Sequence, residues 1–380
     1  MAEPFKNLLN AALVRDSALL LARQAPDHFD ARHFEALALS GLEALEMKAR
    51  SMQIAVALQA TLPADFERAA GLIEASLAPA EADPGMGDLR GLQRGLRGWI
   101  LWPVGEYIAR AGLAHPERAL AALHALTQRF TAEFAIRPFI VEHPTVAWPT
   151  LQRWCSDDSP HVRRLASEGS RPRLPWGLQL KGLIADPSPT LPLLRALQDD
   201  PSEYVRRSVA NHLNDIAKDH PALVCDWIGT HLTDAGAERR ALLRHASRTL
   251  IKAGHAPMLK HWGVGTPLRG TAALSLSARG LSIGEHVGLT LVLRSTAARA
   301  QALAVDYAVH HVKADGSRSP KVFKGWSLEL PARGEVTLTK RHSMKPVTTR
   351  RYFAGTHTVA VQVNGRVVAE AAFELRAAKG

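Results

Sequence analysis

Apolar positions follow a helical period through the first two thirds of the chain and a strand period through the last third. Phe34, Leu37, Ala38, Gly41, Leu42 and Leu45 carry the first pattern, with spacings that line one face of a helix. Pro26 and Pro63 interrupt the Ala/Leu-rich run over residues 1–78 and predict several separate helices, because a helix interior needs the amide that proline lacks. Residues 78–87 turn to Pro, Gly, Asp and Glu, an exposed loop, after which Leu89, Leu92, Leu96, Trp99 and Ile100 restart a helical face. Gly91, Gly95 and Gly98 within it match neither a dinucleotide fingerprint nor a Walker loop, and predict a close helix contact instead. A further helix is expected over 117–129. Glu133 and Arg137 follow at i and i+4, and Pro138, Pro144 and Pro149 punctuate the chain beyond them.

Over residues 262–269 the pattern changes to alternation. Val287, Leu289, Leu291 and Leu293 face one way, as do His357, Val359, Val361 and Val363 on a later segment. Asp315-Gly316 and Asn364-Gly365 are hairpin turns, since their central residues must take positive φ. About seven short strands are expected, enough for a small antiparallel sandwich of immunoglobulin-like type without a disulfide. The fold class is therefore α then β, with a helical domain over 1–265 and an Ig-like β-sandwich over 270–380.

Inside the helical part there is a repeat. Asp157, Ser159, Val162, Arg163 and Arg164 recur as Asp200, Ser202, Val205, Arg206 and Arg207, an offset of 205 − 162 = 43 residues. A fainter third copy runs through Arg239, Arg240 and Arg244. A period of about 40 to 47 residues is that of HEAT-type helical pairs, which stack into a solenoid with a concave groove.

The first copy holds the most unusual residue. Asp158 or Ser159 is placed to cap a helix that begins at Pro160, and Gly169 to end it in the left-handed conformation. Val162, Leu165 and Ala166 form its buried stripe, which leaves Arg164 and Glu168 together on another face. A carboxylate in the last turn opposes the helix dipole by roughly 0.3 to 1 kcal/mol, so local helix stability does not explain Glu168. The offset of 43 aligns Glu168 with Asn211, and Asp215 stands one turn beyond Asn211 on the same face. Two acids can thus face one groove. After Gly169, Pro172 and Pro175 extend a loop that carries Arg171, Arg173 and Trp176, a means of holding guanidinium groups against phosphates and an indole against a sugar or base. Trp154 reads as packing.

Net charge is +11 and the isoelectric point about 10.0, which favours an anionic partner, with nucleic acid ahead of membrane because no Lys/Arg tail is present. Lys321, Lys324, Lys340, Arg341, Lys345, Arg350 and Arg351 make the sandwich basic, as a nucleic-acid clamp or as an ordinary solvated surface. The two cysteines, Cys155 and Cys225, suggest neither a disulfide framework nor a zinc site, and a reducing cytoplasm fits them. No signal segment or membrane span is expected, so a cytoplasmic location is anticipated. Seventeen histidines show no metal-ligand spacing; His310 and His311 should point to opposite faces of one strand. Residues 167–169 do not supply a nucleophile elbow. Neither metal nor cofactor is expected.

The run from Val162 to Trp176, Val-Arg-Arg-Leu-Ala-Ser-Glu-Gly-Ser-Arg-Pro-Arg-Leu-Pro-Trp, closely resembles the signature of the AlkC-type DNA alkylation repair glycosylases. The segment from Gly41 to Arg50 is similar to that family too, and the sandwich looks like that of its larger branch. The resemblance implies a HEAT-like glycosylase that removes 3-methyladenine and 3-methylcytosine from DNA without base extrusion; no lysine falls in the signature run, so a monofunctional enzyme is expected, acting as a monomer on double-stranded DNA. By that similarity Glu133, Glu168 and Asp215 are the active-site acids, Arg164 and Arg171 the groove arginines, and Trp176 the active-site tryptophan. Arg163, Arg173 and Arg207 are further candidates for DNA contact. The alternative from another class is a non-catalytic helical-repeat scaffold that binds nucleic acid or protein.

Overall fold

The computed structural model describes residues 4–80, 92, 94–347 and 350–377. Of the loop expected at 78–87 and the restart beginning at Leu89 and Gly91, residues 81–91 lie outside the described residues. A short 3-10 turn, Phe5–Leu8, opens the helical region. Twelve α-helices follow in order: α1 (Ala11–Gln24), α2 (Ala31–Leu39), α3 (Met47–Thr61), α4 (Phe66–Ser76), α5 (Leu101–Ala111), α6 (Pro116–Thr127), α7 (Arg137–Glu142), α8 (Pro144–Trp154), α9 (Pro160–Gly169), α10 (Lys181–Ala185), α11 (Leu191–Leu197) and α12 (Glu203–Ile216). Then come α13 (Pro221–Leu232), α14 (Ala237–Ala246), α15 (Arg248–Lys252) and α16 (Ala256–His261). Packing groups Met1–Asp219 with Gly236–Ala246 as one unit, and His220–Ala235 with Ser247–Gly380 as another.

Local chemistry sets most helix starts. Asn10, Asp30 and Asp65 each accept the backbone N–H three residues on, satisfying an amide that the helix leaves unpaired. Proline in the first turn opens α6, α8 and α9, where its missing N–H costs nothing. The helical face expected from Phe34 to Leu45 is not continuous. It stops at Leu39, and Gly41 turns the chain at φ 66° into a 3-10 turn, Leu42–Ala44. The close helix contact expected at Gly95 is instead an approach between two non-helical segments bridged at Leu77 and Leu96, where a Cβ on Gly95 would lie 2.6 Å from the Ala78 amide nitrogen.

The internal repeat is a physical unit. Asp157 Oδ1 accepts the Ser159 amide at 2.8 Å, and Asp200 Oδ1 accepts the Ser202 amide at 2.8 Å. In each copy the following arginine locks the same turn. Arg163 Nη1 donates to the Asp157 and Asp158 carbonyls at 2.8 and 2.9 Å, and Arg206 Nη1 to those of Asp200 and Pro201 at 2.6 and 2.9 Å. The helices so started, α9 and α12, bury Val162, Leu165 and Ala166 on one and Val205, Val209 and Leu213 on the other.

One expectation about α9 is corrected. Gly169 remains helical rather than left-handed, and Ser170 ends the helix at φ −92°. Glycine is needed there for space, since a Cβ would sit 2.5 Å from Ile136 Cγ2 in the core.

The second unit carries eight strands: β1 (Gly270–Leu276), β2 (Gly280–Ser282), β3 (His286–Ser295), β4 (Gln301–Val312), β5 (Arg318–Leu330), β6 (Glu335–Ser343), β7 (Gly355–Val363) and β8 (Arg366–Arg376). They form two sheets, ordered β1-β3-β6 and β2-β8-β7-β4-β5. All pairs are antiparallel except the three-residue edge strand β2, which runs parallel to β8. The alternating residues of β3 and β7 all point into the core; Asn364 and Gly365 both take positive φ as anticipated, whereas in the other hairpin turn only Gly316 does and Asp315 does not. His311, His342 and His357 are buried among them, with both ring nitrogens of His311, Nε2 of His342 and Nδ1 of His357 lacking partners. Burial, reinforced by the Arg350 charge, pushes His311 down to about 3 and His342 to about 4, and burial lowers His357 as well.

Two outcomes follow. Gly169→Ala gains about 1 kcal/mol of helix propensity but overpacks the core at a cost of about 1 to 3 kcal/mol, so thermal unfolding should show a net loss of stability. The sandwich should weaken as pH falls from about 6.5 toward 4, by up to about 1.4 kcal/mol per pH unit for each buried histidine, because the unfolded chain takes up protons that the folded one refuses. Denaturant titrations across that range measure the slope, and His311→Phe should reduce it.

Candidate active site

Glu168 sits in the last turn of α9 and is buried, with 6% of its surface exposed. Its Oε1 accepts Arg171 Nη1 at 2.5 Å and lies 3.7 Å from Arg164 Nη2; its Oε2 accepts Ser208 Oγ of α12 at 2.5 Å. Burial alone would raise this carboxyl, but the Arg164 and Arg171 charges and the Ser208 hydroxyl outweigh it and hold the group below the ordinary glutamate value. The loss against the helix dipole is small beside two guanidinium contacts in a dry setting.

The alternation of charge continues on both sides. Arg171 also reaches Asp215 Oδ2 through Nε and Nη2, both at 2.9 Å, and Asp215 Oδ1 accepts Lys218 Nζ at 2.8 Å. On the other side Arg164 Nη2 lies 2.7 Å from Glu133 Oε2, which also accepts Thr131 Oγ1 at 2.8 Å. Glu133, Arg164, Glu168, Arg171, Asp215 and Lys218 thus form one chain of contacts, with the Arg164 guanidinium 5.1 Å over the Tyr204 ring. The structure brings together the three acids and the two arginines named by the family resemblance. Glu133 does not make the helical pair with Arg137 that their spacing suggested: it lies in the turn before α7, and Arg137 points elsewhere.

Arg137 is wholly buried and donates to the carbonyls of Leu178 at 2.5 Å, Gly169 at 2.7 Å and Pro172 at 3.5 Å. It ties the end of α9 to the loop behind it. Burial, with Arg171 nearby, lowers its guanidinium to about 10, so it stays charged at neutral pH. His212 of α12 is also fully buried, and its Nδ1 donates to the Ser167 carbonyl at 2.9 Å, which satisfies one of the acceptors a helix end leaves open. Burial pushes His212 down to about 4, so it is neutral. Sequence reasoning missed Arg137, Ser208, Tyr204 and His212. The offset of 43 pairs Tyr204 with His161, whose rings meet edge to face at 5.6 Å, and could have drawn attention to it.

The loop turns at Leu174-Pro175-Trp176-Gly177, where the Gly177 amide donates to the Leu174 carbonyl at 3.2 Å. Proline followed by positive φ is the type II pattern, whose third position normally holds glycine. Here Trp176 occupies it at φ 67°, a conformation that costs an L-residue roughly 1 to 2 kcal/mol. Its indole is 55% exposed and stacks on Trp102 at 6.0 Å between ring centres.

The other predicted arginines do not join the acid chain. Arg163 makes a bidentate pair with Asp200 at 2.6 and 3.0 Å in addition to locking its turn, so its fork is fully engaged within the fold. Arg173 pairs with Asp219 at 2.7 and 2.8 Å, and Arg207 is exposed beside Glu203 at 2.6 Å. Among the described residues, no three acids, histidines or cysteines are grouped so as to hold a metal ion.

Known proteins share this arrangement of parts. Residues 270–377 match the family model described as the C-terminal Ig-like domain of the uncharacterised protein YhaZ. YhaZ of Bacillus subtilis (strain 168) is 36% identical over 367 residues, covering 95% of this chain and 96% of that protein. A solved structure, the Pseudomonas fluorescens alkylpurine DNA glycosylase AlkC bound to DNA containing an abasic site analog, matches with a TM-score of 0.89 and 34% identity over 98% of this chain and 100% of that one. The class is that of helical DNA glycosylases with an appended Ig-like domain. The chain belongs to the AlkC family, and YhaZ is a homologue within it.

The strained turn yields a test. Trp176→Gly should leave stability within about 1 kcal/mol of wild type or raise it, because relief of the left-handed backbone offsets the lost ring contacts. Chemical denaturation measures this; a large loss would mean the indole is held for stability.

Proposed function

We propose that this chain hydrolyses the N-glycosidic bond of cationic N3-alkylated bases, 3-methyladenine and 3-methylcytosine, in double-stranded DNA, without extruding the base. The observation that carries the reading is Glu168, ionised and buried between Arg164 and Arg171 beside Asp215, in a chain 34% identical to a DNA-bound alkylpurine DNA glycosylase. An alkylated base that already bears positive charge needs no general acid to depart. Bond breaking transfers the charge to the deoxyribose, and the need is for negative charge held ready beside C1′.

The acid chain meets that need. Glu133, Glu168 and Asp215 are spaced by Arg164 and Arg171, with the buried Arg137 guanidinium nearby and the Lys218 ammonium at the more exposed end. These contacts hold the Glu168 carboxylate in place before the reaction, and a carboxylate already aimed at the sugar favours a sugar cation over a neutral sugar. Each tenfold in rate needs about 1.4 kcal/mol of that preference. Water must then attack the cation, and a carboxylate oxygen within hydrogen-bond reach orients it. Trp176 offers its exposed face to the sugar or a neighbouring base. Lys218 is engaged with Asp215 as a donor, so the enzyme is expected to release the base without forming a Schiff base.

On alkylated duplex DNA, Glu168→Gln should lower base release by at least about 100-fold, or about 2.7 kcal/mol, while DNA binding persists. If wild type and variant are equally inactive and bind DNA equally well, the scaffold reading stands. Protonation removes the Glu168 charge, and its pKa is held below the ordinary value. Release should thus remain insensitive to this group from neutral pH down to about 5 and fall only below the usual glutamate range. Borohydride should trap no covalent DNA adduct.

A further inference from the structure

The loop that carries Trp176 is fastened from the far end of the helical unit. Lys48, in the first turn of α3, donates from Nζ to the Trp176 carbonyl, a hydrogen bond across 128 residues of sequence. That carbonyl belongs to the peptide that leaves the left-handed residue, so the bond acts on the strained part of the turn. The indole is held on two further sides. Trp102 stacks on it with an interplanar angle of 15°, and Phe5 meets it edge to face at 5.5 Å.

These partners are fixed in turn. Trp102 is buried, and its indole N–H donates to Glu106 Oε1 at 3.2 Å. Phe5 lies on the 3-10 turn that Arg50 anchors: Arg50 is 1% exposed and donates from Nη1 to the Lys6 and Leu9 carbonyls at 3.2 and 2.9 Å. Its Nε donates to the Leu45 carbonyl at 3.0 Å and its Nη2 to that of Glu43 at 3.1 Å. Arg50 therefore ties the Phe5 segment to the chain that enters α3, the helix from which Lys48 projects.

We propose that Lys48 is a positioning residue: it holds the Trp176 carbonyl so that the left-handed turn keeps the indole stacked on Trp102, with one face open to the DNA. An exposed type II turn with tryptophan at its third position has a backbone preference for other conformations. The Lys48 contact, made only in the presenting conformation, biases the loop toward it and reduces the ordering that substrate binding must supply. The role rests on the proposed glycosylase reading for its effect on catalysis, but not for its effect on the indole pair.

A double-mutant cycle tests it. Lys48→Met should slow single-turnover base release about 5- to 10-fold, and Lys48→Arg, which keeps a donor, should restore most of the rate. In a Trp176→Ala background Lys48→Met should cost nothing further, because the residue acts through the indole. An unchanged rate in Lys48→Met, or a loss that multiplies with that of Trp176→Ala, overturns the proposal; the second outcome means that Lys48 contacts DNA itself. The exciton signal of the stacked indoles in circular dichroism provides a readout independent of activity. Trp176→Ala should abolish that signal and Lys48→Met diminish it, whereas a full signal in Lys48→Met refutes the positioning role even if the wild type releases no base. Loss of base release by the wild type with the dichroism pattern intact would instead count against the glycosylase reading alone.

Discussion

The guanidinium of Arg171, shared between Glu168 and Asp215, is the contact on which the site depends. Burial alone would favour the neutral form of Glu168, and the Arg164 and Arg171 charges outweigh it. Burial also fixes geometry. Glu168 comes from the last turn of α9 and Asp215 from the last turn of α12, so one planar fork joins the ends of two repeat-related helices. Ser208 and His212 of α12 close the same seam, by the Glu168 carboxylate and the Ser167 carbonyl respectively. Breaking a buried pair by removing one partner typically costs about 3 to 5 kcal/mol, more than a well-packed apolar substitute would. Such a cluster is a poor device for stability and a good one for holding negative charge ready.

Charge is organised on two scales. The whole chain carries +11, which draws a polyanion from a distance and is screened over roughly 10 Å at ordinary salt. Within the site the charges alternate, with Glu133, Glu168 and Asp215 set among Arg137, Arg164 and Arg171. On the proposed reading, the long-range field draws the polymer and the fixed carboxylates favour the charge that forms on it. Arg163 and Arg206 belong to neither scale: both are consumed in locking the turns from which α9 and α12 start.

Backbone strain at Trp176 falls at a place where it has a use. Among the described residues only Trp176, Arg333 and Asn364 have positive φ without being glycine, and Asn364 occupies an ordinary hairpin turn. Trp176 stands where glycine would be cheaper, and Arg137, Lys48, Trp102 and Phe5 surround the loop to keep it there. Preorganisation of this kind shifts an ordering penalty from the binding event to folding.

The sequence by itself determined the change from helix to strand, the hairpins, the helix start at Pro160 and the 43-residue repeat, because each rests on local patterns of polarity, capping and turn chemistry. It also singled out Glu168, as an acid where the helix dipole offers no reason for one, and the repeat brought Asp215 toward it. Tertiary structure decided the rest. Gly169 is set by the nearness of Ile136 rather than by its own φ, and Arg137 by three carbonyls 32 to 41 residues away rather than by Glu133 one turn before it. Helical spacing put Arg164, not Arg163, on the face of Glu168, but only packing shows that Arg163 meets Asp200 and Arg164 meets Glu133. Local sequence encodes torsion and periodicity; which charges share a desolvated space depends on segments that meet only when the chain has folded.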